Sequence, residues 1–236
     1  MINWEGFYNA RDLGGLPTLD GDRTRHGAFL RSADPRFVTA ESWRAARDAG
    51  FRTIVDLRNP GEGEPVTGPG LRREQIPLDD IDDQAFWQEI GDVVGCPLYY
   101  PPFLERKAER CAAVCTALAR AEPGVVFHCG LGRDRVGLVT ILLLSLAGAT
   151  PEAIAADYLR STAELGPLFA RLGQPDQAPM VEEVLARRRT TLRAAVDATS
   201  DGLDARRYLL DAGVDAADVA TLRARLRHGN GSSTTR

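Results

Sequence analysis

The passage best suited to carry chemistry is residues 125–137, which read VVFHCGLGRDRVG. Cys129 follows four residues that predict a short buried strand, and Arg135 opens a stretch that predicts an apolar helix. A strand, a glycine-rich turn and a helix N-terminus in succession point backbone N–H groups at one spot, which suits a bound phosphate. The same surroundings favour the thiolate form of Cys129, and the planar fork of Arg135 can grip two phosphate oxygens.

Other uses of a glycine-rich loop do not fit this passage. A Walker A loop needs Gly-Lys followed by Ser or Thr, and the spacing of Gly130 and Gly132 does not complete a GxGxxG motif. The chain has no GxSxG motif of a serine hydrolase. A lone cysteine is usually a small buried residue, but the neighbouring glycines, His128 and Arg135 favour a nucleophile at Cys129 instead.

The elements that must position this loop alternate between strand and helix early in the chain. The sequence predicts strands at 28–31, 52–57, 75–78 and 125–128 and early helices at 42–49 and 104–120. Later helices are predicted at 135–147, 151–161, 163–172, 180–198, 203–212 and 215–227. This order predicts an α/β fold with a central, mostly parallel sheet flanked by helices and a helix-rich C-terminal half.

Composition and charge exclude several classes of protein. The 236 residues are 44% hydrophobic and 26% charged with a net charge of −4, which disfavours a nucleic-acid partner because such proteins carry a basic excess. Four cysteines and three histidines form neither CxxC nor HExxH, so we expect no disulfide scaffold and no protein-built metal site. Without a membrane-length apolar run or a signal-peptide pattern, a cytoplasmic location without stable membrane insertion is expected, with secretion by an unrecognised route left open.

The chain shows no internal repeat and no Pro/Gly/Ser linker that separates two cores. We therefore predict one domain over residues 1–228, followed by a flexible C-terminal tail at 229–236 with the sequence GNGSSTTR. The oligomeric state does not follow from these patterns.

HCGLGRDRVG resembles the phosphate-binding loop HCxxGxxR of cysteine-dependent protein tyrosine phosphatases. It is most similar to that of the bacterial tyrosine/serine phosphatase family, whose loop reads HCxxGKDRTG. Further similarities follow in the family's order: its NFRDLGG opening at 9–15, LxRS strand at 29–32, DLRxxxE segment at 56–62, ADYLxS helix at 156–161 and YLxxxG element at 208–213. The resemblance therefore spans residues 9–213 and is far more specific than the loop alone.

This resemblance implies a two-step hydrolysis of phosphate monoesters that needs no metal or organic cofactor. Cys129 would attack phosphorus and form a phosphocysteine, which water then hydrolyses. The phosphate would be held by Gly130, Leu131, Gly132, Arg133, Asp134 and Arg135, whose positive pocket takes over the electrostatic role of a metal. The implied substrates are phosphotyrosine, phosphoserine or phosphothreonine in proteins, or phosphoinositides, on which some family members act.

An acid must protonate the leaving oxygen, and the chain offers several aspartates for this role. The resemblance places a loop aspartate after the 75–78 segment, and Asp80 is the first choice. Asp134, beside Arg135, is the alternative, although it could brace the loop instead. Further candidates in the same acidic loop are Asp79, Asp82 and Asp83.

Two positions depart from the family's loop. Val136 stands where Thr is usual, and the missing hydroxyl predicts slow hydrolysis of the phosphoenzyme. Arg133 stands where Lys is common, and two interpretations stay open for it. It is either a cation at the pocket rim that favours substrates with several phosphates, or a solvated loop residue.

The neighbours of the loop have mainly structural interpretations. His128 is expected to orient the loop by hydrogen bonding rather than to act as a base. Asp56 and Arg58 are expected to form an ion pair beneath the site, with Glu62 as a further partner. Two other functions remain as alternatives: a catalytically weak phosphate-binding module, and a rhodanese-type sulfurtransferase, against which the motifs outside the loop argue.

Overall fold

A computed structural model of the protein describes residues 4–227 and contains a five-stranded sheet. The strands are β1 (Arg11–Asp12), β2 (Phe29–Ser32), β3 (Thr53–Asp56), β4 (Arg72–Gln75) and β5 (Val125–His128), in the order β1-β2-β5-β3-β4. β5 is central and parallel to β2 and β3, β4 is parallel to β3, and β1 alone is antiparallel. The predicted mostly parallel sheet is therefore confirmed, whereas the predicted tail at 229–236 lies outside the described residues.

Helices surround this sheet and dominate the second half of the described chain. They are α1 (Ala40–Asp48), α2 (Gln84–Ile90), α3 (Tyr100–Arg106), α4 (Ala108–Arg120), α5 (Asp134–Ala147), α6 (Pro151–Glu164), α7 (Gly166–Leu172), α8 (Ala178–Arg187), α9 (Leu192–Ser200), α10 (Ala205–Asp211) and α11 (Ala216–Leu226). Short 3-10 turns lie at 35–37, 91–93 and 97–99. Within residues 4–227, no helix has the length and apolar character needed to cross a bilayer.

The central strand and the helix after it are among the most buried elements of the fold. All four residues of β5 are buried, and so are eleven of the fourteen residues of α5. A helix that is apolar on nearly all sides must be enclosed by neighbours, and α5 packs against α4, α6, α9, α10 and α11. The turn between β5 and α5 is thus held at the carboxyl end of a central strand, where open α/β sheets place their ligands.

Two predicted helices are each divided in the structure. The predicted helix at 104–120 is interrupted at Lys107, whose backbone leaves the helical region at φ −126° and ψ 33°. The predicted helix at 180–198 is interrupted near Arg189, which has a φ of 51°, and a new helix begins after Thr191, whose hydroxyl accepts from Ala194 N–H. Apolar periodicity continues across such breaks, so it does not reveal them.

Candidate active site

The loop that joins β5 to α5, residues 129–135, is here called the Cys129 loop. Cys129 itself ends the central strand and is 2% exposed. Gly132 has a φ of +67°, and a Cβ there would lie 2.5 Å from backbone atoms of Ser32 and Ala33. Glycine is therefore required at 132, both for the left-handed conformation and for the close approach of the loop to the end of β2.

The backbone N–H groups of the loop are available to a ligand. In the part of the chain that the structure describes, none of the N–H groups of residues 130–133 donates to a protein acceptor. Buried or half-buried amides are normally paired, so a run of free donors indicates an anion-binding turn. The start of α5 directly after these residues adds the positive end of a helix dipole.

Arg135, at the last position of the Cys129 loop, is held in place by a carboxylate. Its two terminal nitrogens donate to Oε1 and Oε2 of Glu62, both at 2.7 Å. Burial opposes the charge of Arg135, but the hydrogen bonds to Glu62, with further electrostatic support from Asp79, outweigh it and raise the pKa of Arg135. The sequence suggested Glu62 only as a partner of Arg58, so its pairing with Arg135 is a functional contact that the pattern missed.

Asp80, the first choice for the acid, lies in a different environment from that expected. Its carboxylate accepts hydrogen bonds from Lys107 Nζ at 2.9 Å and from Arg110 at 2.8 Å. The bond from Lys107, followed by the charges of Arg110 and Lys107, lowers the pKa of Asp80 despite some burial. Asp80 is thus kept ionised by two cations of the α3–α4 region, and the contact with the pocket that the role requires is not observed.

Asp79, the residue before it, is the aspartate of the acidic loop that the structure brings to Arg135. Its Oδ2 lies 3.4 Å from a terminal nitrogen of Arg135, and its buried Oδ1 has no hydrogen-bond partner among the described residues. Burial, opposed by Arg135 and reinforced by Glu62 and Asp134, raises the pKa of Asp79 to about 6. A carboxyl group with these properties can carry a proton near neutral pH.

Arg133 matches neither interpretation left open by the sequence. It is 4% exposed, so it is not a solvated residue. Its guanidinium lies 3.1 Å from Asp134 Oδ1, 3.1 Å from Gln177 Oε1 and 3.2 Å from the Gly95 carbonyl. All three partners are protein acceptors, so the group is engaged inside the protein rather than presented at an open rim.

His128 and Val136 flank the loop and are both fully buried. The Nδ1 atom of His128 lies 3.3 Å from the Cys129 carbonyl, and Nε2 lies 3.6 Å from Asp56. Burial lowers the pKa of His128 although Asp56 opposes this, which leaves the ring neutral at pH 7. The expected pair of Asp56 with Arg58 is present, at 2.7 Å and 2.9 Å.

The site offers phosphate-binding donors but no set of metal ligands. Among residues 4–227, no group of three or more His, Cys, Asp or Glu side chains is placed to hold a metal ion. What converges at the carboxyl end of β5 is one thiol, one guanidinium, a run of free amides and one acid of raised pKa. This set can bind a phosphate group, attack it and supply a proton.

Comparison with known protein sequences assigns most of the chain to one family. Residues 2–228 match the model of a family described as the tyrosine phosphatase family. A Cupriavidus necator protein named as a tyrosine-protein phosphatase is 31% identical over 235 residues, covering 91% of this chain and 84% of that protein. The triple specificity protein phosphatase PtpB of Mycobacterium tuberculosis is 36% identical over 271 residues, covering 92% and 96%. A solved structure of TpbA from P. aeruginosa in complex with pTyr is similar with a TM-score of 0.41 and 16% identity, covering 79% of this chain and 86% of that one.

Proposed function

Because the chain belongs to the tyrosine phosphatase family and is a phosphatase, we propose that Cys129 is its nucleophile and phosphotyrosine in proteins its first substrate. The observation that carries this proposal is the placement of Arg135. Its guanidinium is fixed by Glu62 and lies 3.4 Å from Asp79, at the end of the run of free amides that follows Cys129. A phosphate dianion needs this combination of a planar cation and several N–H donors.

In the first step, the thiolate of Cys129 attacks phosphorus, an S–P bond forms and the ester P–O bond breaks. The negative charge on the phosphoryl oxygens is met by Arg135 and the loop amides. The departing oxygen takes a proton from Asp79, which becomes a carboxylate. The dephosphorylated product leaves, and phosphocysteine remains on the enzyme.

In the second step, a water molecule attacks the phosphorus of phosphocysteine. Asp79 accepts the proton of that water and so returns to its acid form. The S–P bond breaks, the electron pair returns to sulfur as thiolate, and inorganic phosphate is released. Val136 supplies no hydroxyl to the departing sulfur, which supports a slow second step.

We propose Asp79 rather than Asp80 as the acid, on the basis of charge and position. With a pKa of about 6, Asp79 is protonated in about a tenth of molecules at pH 7 and regains its proton in each cycle. Asp80 is held as a carboxylate by Lys107 and Arg110. Asp134 stays as a second candidate, although its carboxylate is bonded to Arg133.

The substrate range is proposed in a definite order. The name of PtpB gives that relative three specificities, which supports testing more than one substrate class here. The guanidinium of Arg133 is already bonded to Asp134, Gly95 and Gln177, so a second phosphate of an inositol lipid would have to displace these partners. We therefore place phosphotyrosine first, phosphoserine and phosphothreonine next, and phosphoinositides last.

A kcat/KM panel on matched phosphotyrosine and phosphothreonine peptides and on a short-chain phosphoinositide tests this proposal. The expected result is the highest value for the phosphotyrosine peptide, with all turnover lost in Cys129→Ser. Phosphate binding without turnover by the wild type would indicate a phosphate-binding module instead. Transfer of sulfur from thiosulfate to cyanide would indicate a sulfurtransferase, and a phosphoinositide value above the peptide values would reverse the substrate order.

A further inference from the structure

Three consecutive carbonyl groups of the Cys129 loop are each held by a donor from the N-terminal part of the chain. The bonds run from Asp34 N–H to Gly130 O at 3.0 Å, from Asn9 Nδ2 to Leu131 O at 3.0 Å, and from Arg31 to Gly132 O at 2.8 Å. One donor is backbone and two are side chains. The two side chains can therefore be varied without changing the loop's own sequence.

These bonds bear on the direction of the loop's N–H groups. In a planar trans peptide, the C=O of one residue and the N–H of the next point to opposite sides. A donor that holds the carbonyls of Leu131 and Gly132 on one side of the loop thereby holds the N–H groups of Gly132 and Arg133 on the other. Those two N–H groups are among the free donors described above. The anion-binding side of the loop is thus set by contacts on its opposite side.

Asn9 is fitted to this task by its backbone and by both ends of its amide. It is 4% exposed and has a φ of 46°, a left-handed conformation that Asn tolerates better than most residues. Nδ2 donates to Leu131 O at 3.0 Å, while Oδ1 accepts from Arg11 at 2.7 Å. An unusual backbone conformation that is maintained by surrounding contacts is typical of functional positions.

Arg31 is the more costly of the two side chains to bury. It is fully buried, pairs with Asp157 and shares that carboxylate with Arg11, whose Nε lies 2.6 Å from Asp157 Oδ1. Buried ion pairs often stabilise a protein no better than apolar side chains of similar volume. The bond from Arg31 to Gly132 O therefore suggests that its burial serves the loop.

We propose that Asn9 and Arg31 are positioning residues for phosphate binding. By holding the carbonyls of Leu131 and Gly132, they keep the N–H groups of Gly132 and Arg133 directed at the phosphate group. This inference rests on the proposed function in one respect only, namely that the Cys129 loop binds phosphate. Neither residue is among the groups proposed to contact the phosphate.

Binding of inorganic phosphate to Cys129→Ser protein tests the inference without turnover. Asn9→Gly permits the left-handed backbone and removes the donor without adding charge. Arg31→Lys keeps the charge beside Asp157 but shortens the fork that reaches Gly132 O. The loss of one such hydrogen bond predicts a phosphate Kd about tenfold higher in each variant. In proteins that retain Cys129, kcat/KM should fall by a similar factor.

Thr24→Val is the matched control. Thr24 is 1% exposed and donates to Leu13 O at 2.6 Å, and no hydrogen bond joins it to residues 129–135. The control is expected to lower Tm and leave the phosphate Kd unchanged. Asn9→Gly and Arg31→Lys proteins that show a lower Tm with the parent Kd would have a purely structural role, which overturns the inference.

A failure of the proposed function would give a different experimental result. Absence of phosphate binding by the Cys129→Ser parent, together with absence of turnover by the wild type, would contradict both proposals. If Asn9→Gly does not fold, Arg31→Lys and phosphate inhibition of the wild type still decide the question. A Kd for Arg31→Lys within twofold of the parent would then count against positioning.

Discussion

Asp79 and Asp80 are adjacent in the sequence, yet their carboxyl groups lie in opposite electrostatic surroundings. Asp79 is largely buried with one oxygen unpartnered, and burial raises its pKa to about 6. Asp80 is bonded to Lys107 and Arg110, which keep its pKa low. One step along the backbone therefore separates a group suited to donate a proton from a group suited to hold a loop in place.

The first prediction concerns the leaving group. Asp79→Asn should lower kcat by about 10²–10⁴-fold for an alkyl phosphate, because an alkoxide needs a proton to depart. For an aryl phosphate with a good leaving group the loss should be much smaller. Steady-state kinetics on the two substrates gives the comparison.

Asp80→Asn is the matched control, since it changes the neighbouring carboxylate in the same way. It should lower kcat only slightly and equally on both substrates. A larger leaving-group dependence in Asp80→Asn than in Asp79→Asn would restore Asp80 as the acid. The same pattern in Asp134→Asn would assign the role to Asp134.

The second prediction concerns stability. Asp79 has a higher pKa when folded, about 6, than its ordinary 3.8. The folded state therefore holds this proton more tightly, and stability falls as pH rises from about 4 to about 6. Because a change in pKa from 3.8 to about 6 corresponds to about 3 kcal/mol, Asp79→Asn should stabilise the protein by up to that amount at pH 7 and by little at pH 4. Urea unfolding at the two pH values measures the difference, and an equal change at both would contradict the assigned pKa.

The third prediction concerns the carboxylate that holds Arg135. Glu62→Gln keeps the size of the side chain but removes the charge that both terminal nitrogens of Arg135 contact. We expect kcat/KM to fall by about 10- to 100-fold, since a charge-assisted bidentate pair orients the guanidinium. Glu64→Gln, two positions further along the chain, changes an exposed carboxylate that does not contact Arg135, and this control should behave as wild type. Equal activity of the two variants would show that Arg135 is oriented without Glu62.

The fourth prediction concerns the second chemical step. Val136→Thr should raise steady-state turnover and shrink a pre-steady-state burst, because the hydroxyl can stabilise the departing sulfur. Burying a hydroxyl costs about 1–3 kcal/mol of stability unless it finds a partner. Val139→Thr, also fully buried in α5, controls for that cost. An unchanged burst in Val136→Thr would remove the explanation for a slow second step.

Local sequence patterns were enough to predict the central sheet and the element that carries the nucleophile. The strand at 125–128 is found at its predicted bounds, and α5 begins one residue earlier than predicted, at Asp134. These signals are local, since a buried strand, a glycine turn and an apolar helix are each indicated by the types of a few consecutive residues. The predicted strand at 75–78 is instead β4 at Arg72–Gln75, a polar edge strand whose pairing with β3 is set by tertiary contacts.

The contacts of the site join residues that are far apart in the sequence, so no local sequence pattern reveals them. Glu62 and Arg135 are 73 positions apart, and Asn9 and Leu131 are 122 apart. Asp79 could have been ranked above Asp80, because it directly follows the apolar segment Ile76-Pro77-Leu78 and so enters the interior with Leu78. Of the two cations that bind Asp80, Lys107 lies at a helix break that periodicity did not show, and Arg110 lies in the helix that follows.

The side chain of Lys107, at this helix break, can report on the position of the acidic segment that contacts it. Lys107 is the single lysine of the chain, and its ammonium is enclosed by Asp83 at 2.6 Å and Asp80 at 2.9 Å. The bond to Asp83, followed by that to Asp80, raises the pKa of Lys107 and so suppresses its nucleophilicity. An acylating reagent would modify this side chain only when the acidic segment swings away from it. The labelling rate of this one side-chain amine, followed by mass spectrometry, would therefore record how often the segment with Asp80 and Asp83, directly after Asp79, moves away from Lys107.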